Sequence, residues 1–394
     1  MPMSPALAAS RSRREAGWLF AAPFRPFFLF ASLHAAASVP VWVWIYVSGA
    51  NEVAHMPPLV WHAHEMVFGY LPAVMAGYLL SSTPNWTGRL PASGWPLAGL
   101  VSIWLAGRTV PLVAPAAVGL LVDAAFPLAV AFVLMREARA GRAAQSRHGL
   151  MLFPLLAAGS IAHRLFAGDH DVASLLARLG IAVGILLIAA VGGRLVPSLT
   201  RNALAAGGAE RVPEPYGRFD VVVLLIGSAA LAGWVAAPAS VISGALLAAA
   251  TLLHLVRLAR WRGWLLRAAD VLALHLGCLW LVVGTGLAAL AADPPGAVPP
   301  DAALHAFSAG AIGVMTMAVM ARLAATRGVT GHARADLALW ALGLVNAGAV
   351  LRVAAPMAGV DHLPLLVAGA ALWSGGFALF ALAMIFGRKH RPAR

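Results

Sequence analysis

The chain breaks into about twelve apolar segments, each roughly twenty residues long, joined by short connections that hold most of its arginines. A hydrocarbon layer of about 30 Å is crossed by about twenty residues of α-helix. Lipid also admits no open strand or loop whose peptide groups go unpaired. The fold this pattern predicts is all-α: a polytopic membrane bundle of about twelve transmembrane helices. The spans are expected near residues 27–49, 60–83, 94–112, 115–135, 149–167, 174–199, 219–236, 238–260, 270–291, 302–325, 336–356 and 363–387. Composition agrees, with 61% hydrophobic residues, 11% charged and a mean hydropathy of +0.83, which leaves no room for a soluble domain.

The domain reading follows: residues 1–26 a cytoplasmic N-terminal segment, 27–387 the transmembrane helical domain, and 388–394 a basic cytoplasmic tail. The first segment, with Arg11, Arg13 and Arg14, resembles a signal-peptide n-region. The apolar run continues through Trp42 and Trp44 to a full span, so an uncleaved anchor is expected. A net charge of +13 in a soluble chain would suggest nucleic acid. Here no nucleic-acid partner is expected, because the arginines lie between spans, where they set topology and meet anionic lipid of the bilayer. All the Lys and Arg except Arg108, Arg164, Arg178 and Arg352 fall on one side when connections are taken alternately. The positive-inside rule then puts both termini in the cytoplasm.

A faint repeat runs through the spans. The ends of the second, sixth and tenth read G-Y-L-L-S-S-T-P-N (Gly77 to Asn85), G-R-L-V-P-S-L-T-R-N (Gly193 to Asn202) and A-R-L-A-A-T-R-G (Ala321 to Gly328). The recurrence suggests three units of four helices. Chance use of Gly, Leu, Thr and Arg at helix ends is the alternative.

Ionisable groups inside lipid are costly and mark functional sites, which singles out W-H-A-H-E-M at the start of the second span (Trp61 to Met66). His62, Glu65, Met66, Gly69, Ala73, Ala76 and Gly77 share one helix face, while His64 lies about 200° round from His62. A histidine above a stripe of small residues could seat a flat porphyrin with imidazole as axial ligand. The alternative is close helix packing over small residues. In the tenth span His305, Ser308, Ala309, Ile312 and Thr316 form a similar stripe, so His62 and His305 are candidates for a bis-histidine haem. His254, His275 and His34 form a second candidate group in the inner half, for metal or haem or as helix-to-helix hydrogen-bonding partners. Asp123, Asn346, Arg194 and Arg352 are further buried polar candidates with a structural role. Cys278 is the single cysteine, so disulfides and cysteine zinc sites are excluded and metal chemistry rests on the 13 histidines, the methionines and the carboxylates. No phosphate loop and no serine or cysteine nucleophile arrangement is visible, so no catalytic residue is assigned.

The blocks F-R-P-F-F-L (Phe24 to Leu29), W-H-A-H-E-M-V-F-G-Y (Trp61 to Tyr70), T-P-N-W-T-G-R (Thr83 to Arg89), R-N-A-L (Arg201 to Leu204), R-W-R-G-W (Arg260 to Trp264) and L-H-A-F-S-A-G-A-I-G-V-M-T (Leu304 to Thr316) resemble the NnrS family of bacterial membrane proteins. The resemblance implies a haem- and copper-containing inner-membrane protein linked to nitric oxide response, nitrosative stress and denitrification. The candidate haem-binding residues are His62 and His305, with His64 and Glu65 beside them. Metal candidates are His62, His64, His305, His254, His275, His34 and Met66. A more distant similarity is to the catalytic subunit of haem-copper oxidases and nitric oxide reductases, whose low-spin haem histidines lie on the second and tenth helices. Span six here has no histidine and span ten has one, so that family's binuclear centre is not matched. Two other readings stay open: a secondary transporter of a metal, haem or small anion, and a membrane oxidoreductase resembling nitric oxide reductase. The sequence names no partner subunit.

Overall fold

The computed structural model describes residues 17–88, 90–141, 147–292, 297–329 and 332–386. Of residues 83–87, 140–141, 147–151, 332–335 and 361 only the backbone is described. Most of the N-terminal segment, the tail 388–394, the side chains of the T-P-N-W-T-G-R block, and the side chains of His148, His332 and His390 therefore lie outside the description.

The described residues form twelve continuous helices and no strand, matching the expected spans one to one. They are α1 (Phe24–Ser48), α2 (Pro58–His64, Glu65–Tyr70 and Leu71–Thr87), α3 (Trp95–Thr109), α4 (Ala116–Gly141), α5 (Arg147–Leu165), α6 (His170–Leu187, Ile188–Gly192 and Gly193–Ala206), α7 (Arg218–Ala236), α8 (Val241–Arg260), α9 (Ala269–Ala291), α10 (Pro300–His305, Ala306–Ile312 and Gly313–Thr326), α11 (His332–Ala354) and α12 (His362–Phe386). Among the described residues nine of these are long and apolar enough to cross a membrane; α2, α3 and α5 are the others. Helix α3 is only 15 residues long, and α2 carries His62, His64 and Glu65 among its apolar residues. Large apolar side chains such as Leu121, Phe132, Leu225, Val241, Ile242 and Leu252 are exposed, the outward face that a lipid solvent calls for.

The helix starts are local. Proline opens α2 at Pro58 and α10 at Pro300, where its missing N–H would be unpaired in any case. Gly49 closes α1 with φ 73°, the left-handed cap that glycine adopts without strain.

The second, sixth and tenth helices share a feature that a straight helix lacks. Each contains one widened π-helical turn: Glu65–Tyr70, Ile188–Gly192 and Ala306–Ile312. A π-turn departs from the regular ladder, and in each case a side chain donates to a carbonyl within the turn. Trp104 Nε1 of α3 donates to the Gly69 carbonyl at 3.0 Å, Arg257 Nη1 of α8 to Ala189 at 2.9 Å, and Trp373 Nε1 of α12 to Ala309 at 3.2 Å. Each donor comes from the same consecutive group of four helices as its acceptor.

By contacts the chain divides into two compact units: residues 1–180 with 326–329 and 384–394, and residues 181–325 with 330–383. In the first, α1 packs on α2, with the backbone N–H of Phe24 donating to Ser81 Oγ at 3.0 Å. In the second, α11 and α12 meet backbone to backbone: a Cβ at Gly348 would stand 2.5 Å from the Trp373 nitrogen and 2.7 Å from the Gly369 oxygen. Gly375 has nothing within 4 Å of that position. Gly348→Ala should therefore cost about 1–3 kcal/mol and lower the thermal transition of detergent-purified protein, while Gly375→Ala leaves it unchanged. Equal melting of the two variants would refute this packing.

Candidate functional site

In the first unit five helices converge on one buried carboxylate. Asp123 of α4 is 2% exposed. Its Oδ2 accepts from Ser160 Oγ at 2.9 Å and Arg164 Nε at 2.9 Å, and it lies 2.6 Å from His64 Nε2. Its Oδ1 is ion-paired with Arg108 Nη2. Arg108, near the end of α3, also donates to Glu65 Oε2 at 2.8 Å. His34 of α1 stands 3.3 Å from that carboxylate and meets Trp104 edge-on at 5.7 Å. His163 of α5 places Nδ1 3.3 Å from His64 Nδ1.

The local sequence explains the convergence. Ser160, His163 and Arg164 have i, i+3, i+4 spacing and so share one face of α5. His64 and Glu65 stand at the junction where α2 passes into its widened turn. Gly69 leaves the face of α2 bare, so that a Cβ there would stand 2.6 Å from Arg108 Nη1. Two carboxylates face two guanidinium groups, so the cluster is neutral when its imidazoles are neutral. That balance is what a low-dielectric interior requires of buried charge.

The second unit holds a smaller counterpart. Arg257 of α8 is fully buried, donates from Nε to Asp220 Oδ1 at 2.8 Å, and reaches the Ala189 and Gly193 carbonyls of α6. Asp220 Oδ2 meanwhile accepts from the Gly217 N–H at the start of α7. A cavity of about 10 Å³, roughly one water in size, is lined by residues including His254, Arg257, Trp261 and Cys278.

The residues that the sequence singles out go to several places. His64, Glu65 and His34 join the Asp123 cluster. His62 leaves it and stacks on Trp42, ring centroids 4.3 Å apart at 23°. Met66 Sδ accepts from Ser38 Oγ at 3.6 Å. The small-residue stripe below His62 is filled within its own unit: Gly69 faces Arg108, and a Cβ at Gly77 would stand 2.7 Å from the Phe28 ring. His275 Nε2 lies 2.8 Å from Thr200 Oγ1, which donates onward to the Val196 carbonyl. His254 lines the cavity, and Trp261 of that cavity meets His275 edge-on at 5.9 Å. His305 Nδ1 lies 2.7 Å from the Asp301 carbonyl one turn back. Among the described residues no three His, Cys, Asp or Glu side chains gather as a metal-ligand set.

Sequence reasoning marked Asp123, Arg108 and Arg164 but did not join them to His64, and it left Ser160 out. The available signal was charge balance: an aspartate inside an apolar span needs a cation at its depth. Arg257, at the arginine-rich end of α8, is buried against Asp220, which its position in the sequence does not reveal.

These observations define a class: a polytopic helical membrane protein built around a buried, charge-neutral cluster of histidine, arginine and carboxylate. The family model described as NnrS protein matches residues 18–386, nearly the whole chain. The chain belongs to the NnrS family. A search of curated proteins found no match.

Two ion pairs of the second unit separate buried from exposed charge. Arg257→Ala leaves Asp220 unpaired in the interior and should destabilise by about 3–5 kcal/mol. Arg322→Ala removes a pair with the half-exposed Asp270 and should cost about 0–1 kcal/mol. Thermal unfolding in detergent distinguishes them, and a mild Arg257→Ala would contradict the burial.

Proposed function

We infer that the protein is a haem- and copper-binding inner-membrane protein of the nitric oxide response, with both termini cytoplasmic and His62 and His305 as haem ligands. Family membership supports the nitric oxide role, and the arginine bias supports the orientation.

The observation that carries the haem reading is the hydrogen bond of His305. A carbonyl only accepts, so Nδ1 carries the proton at 2.7 Å from Asp301 O, a contact that fixes the tautomer and the orientation of the ring. Metal-binding histidines are oriented by this kind of contact. Both His62 and His305 also stand just before a widened turn in a proline-opened helix, and π-turns are frequent at functional sites. The filled stripe at Gly69 and Gly77 argues against a porphyrin lying along that face of α2, so the fit rests on the two imidazoles alone. Haem, when bound, would supply one-electron redox chemistry. Copper suits the imidazole-rich interior. The transporter reading is less well supported, because the Asp123 carboxylate is already held by His64, Arg108, Ser160 and Arg164.

Protein purified from a haem-producing bacterial host should show a Soret band and bound copper. His62→Ala and His305→Ala should each lose most of the haem, read as absorbance per protein, while eluting as folded protein. Full haem in both variants, or no Soret band in the parent protein, would sink the assignment.

A further inference from the structure

The R-W-R-G-W block (Arg260 to Trp264) has no part in the function inferred above, and it opens the connection from α8 to α9. Helix α8 ends at Arg260 and α9 begins at Ala269, so the two apolar helices are joined by residues 261–268 alone. The turn is fixed from inside. Trp261 is 6% exposed, with the Arg257 guanidinium over its ring at 5.3 Å. A Cβ at Gly263 would stand 2.5 Å from His275 Nδ1, so the backbone there rests on that ring. Between them Arg262 is held at φ 56°, a left-handed conformation that side chains of its kind adopt at a cost. Strain of this sort persists where the surroundings impose it, and it gathers at ligand clamps. Gly263–Leu265 then makes one 3-10 turn, in which the Leu265 N–H donates to the Arg262 carbonyl at 3.1 Å.

The pinned turn presents a mixed surface. Trp264 is 68% exposed and Leu265 48%. Arg260 and Arg267 on either side are exposed, and Arg262 is half-buried. Arg260 lies over the Phe219 ring of α7 at 4.8 Å, a stacking contact that uses the face of the guanidinium and leaves N–H groups at its edge. None of the three is paired with a carboxylate among the described residues, and the nearest one in sequence, Asp270, is taken by Arg322. The lipid-facing wall reaches the turn from both helices, since Val256 of α8 and Leu272 of α9 are also exposed. So short a connection keeps its side chains at the level of the lipid headgroups, where tryptophan is enriched and arginine meets phosphate.

We propose that the α8–α9 turn binds the headgroup of an anionic phospholipid, with Arg260, Arg262 and Arg267 on the phosphate and Trp264 and Leu265 in the acyl boundary beside it. The arginine bias of the whole chain sets orientation, whereas this turn adds a particular site with a preformed backbone. A guanidinium fork suits phosphate, because two of its N–H groups reach two oxygens. An acidic soluble protein would match the charge but not the exposed indole and leucine, which continue the lipid-facing wall. The site is independent of the haem and copper reading.

The test uses the full chain in detergent, titrated with phosphatidylglycerol or phosphatidylcholine of identical acyl chains and read by native mass spectrometry. The parent protein should hold phosphatidylglycerol more tightly, and added salt should reduce the preference. Arg260→Gln, Arg262→Gln and Arg267→Gln should each lower phosphatidylglycerol affinity about fivefold, the share of one basic residue at an anionic surface, and leave phosphatidylcholine unchanged. Lysine at the same positions should restore most of the loss, which separates missing charge from a damaged turn. Arg139→Gln, an exposed arginine at the end of α4, should change neither lipid. Brominated phosphatidylglycerol should quench a part of the tryptophan emission that Trp264→Phe removes. An equal loss in Arg139→Gln would reduce the effect to general surface charge and overturn the site. Equal affinity of the parent for the two lipids would also overturn it, as would quenching that survives Trp264→Phe. Displacement of the lipid by matching concentrations of inorganic phosphate or polyglutamate would assign the turn to a free anion or an acidic protein instead.

Discussion

Every polar group inside this bundle has to find its partner within the protein, because the solvent over most of the helix length is hydrocarbon. The constraint is sharpest at the three widened turns. A π-turn in water loses little by releasing a carbonyl. In lipid an unpaired carbonyl costs several kcal/mol by transfer estimates, roughly 2–7 depending on the reference state. At each turn an N–H of Trp104, Arg257 or Trp373 reaches a carbonyl of the turn, where a partner is worth more than in water. Two of these are indoles, whose apolar bodies pack against helices while the nitrogen bonds the backbone. The third is a guanidinium and brings a charge, which explains why Asp220 is buried beside it.

The same reasoning makes Asp123 the hinge of the first unit. A lone carboxylate at that depth would be neutralised or expelled. Arg108 and Arg164 hold it in place, and Arg108 is in turn shared with Glu65. Ion pairs of this kind seldom add net stability over an apolar core, yet they become expensive once one partner is lost. Their value here is in orientation. With its carboxylate engaged, Asp123 decides which nitrogen of His64 carries the proton, and so where its lone pair points.

Helix number and order were legible in the sequence because twenty-residue apolar runs are set by bilayer thickness, whatever packs beside them. The members of the cluster were legible one by one for the same reason: His64, Glu65, Asp123, Arg108 and Arg164 are conspicuous among apolar neighbours. Their assembly was not, because it depends on which faces of five helices meet. The Gly69 and Gly77 stripe shows the limit. Small residues open space along a helix, but sequence does not say whether a ligand or a neighbour fills it, and here Arg108 and Phe28 do. Arg257 shows another. A basic residue at the end of a span reads as a snorkelling side chain, whereas here Asp220 and the Ala189 and Gly193 carbonyls turn it inward.

The widened turns themselves left no mark in composition, since Glu65–Tyr70 and Ala306–Ile312 share little beyond glycine and apolar residues. What the two have in common is position: a short proline-opened α-segment, a histidine within its last turn, then the π-turn. An extra residue in a turn rotates everything before it relative to everything after. The histidines can therefore be aimed independently of the long apolar segments that follow. A regular helix would couple the two, so that any change in how Leu71–Thr87 packs against α1 would also swing His62 and His64. Relaxing that coupling lets one helix serve two masters. Its lower part packs by lipid-facing rules and close contacts, while its upper part answers to Asp123, Arg108 and Trp42.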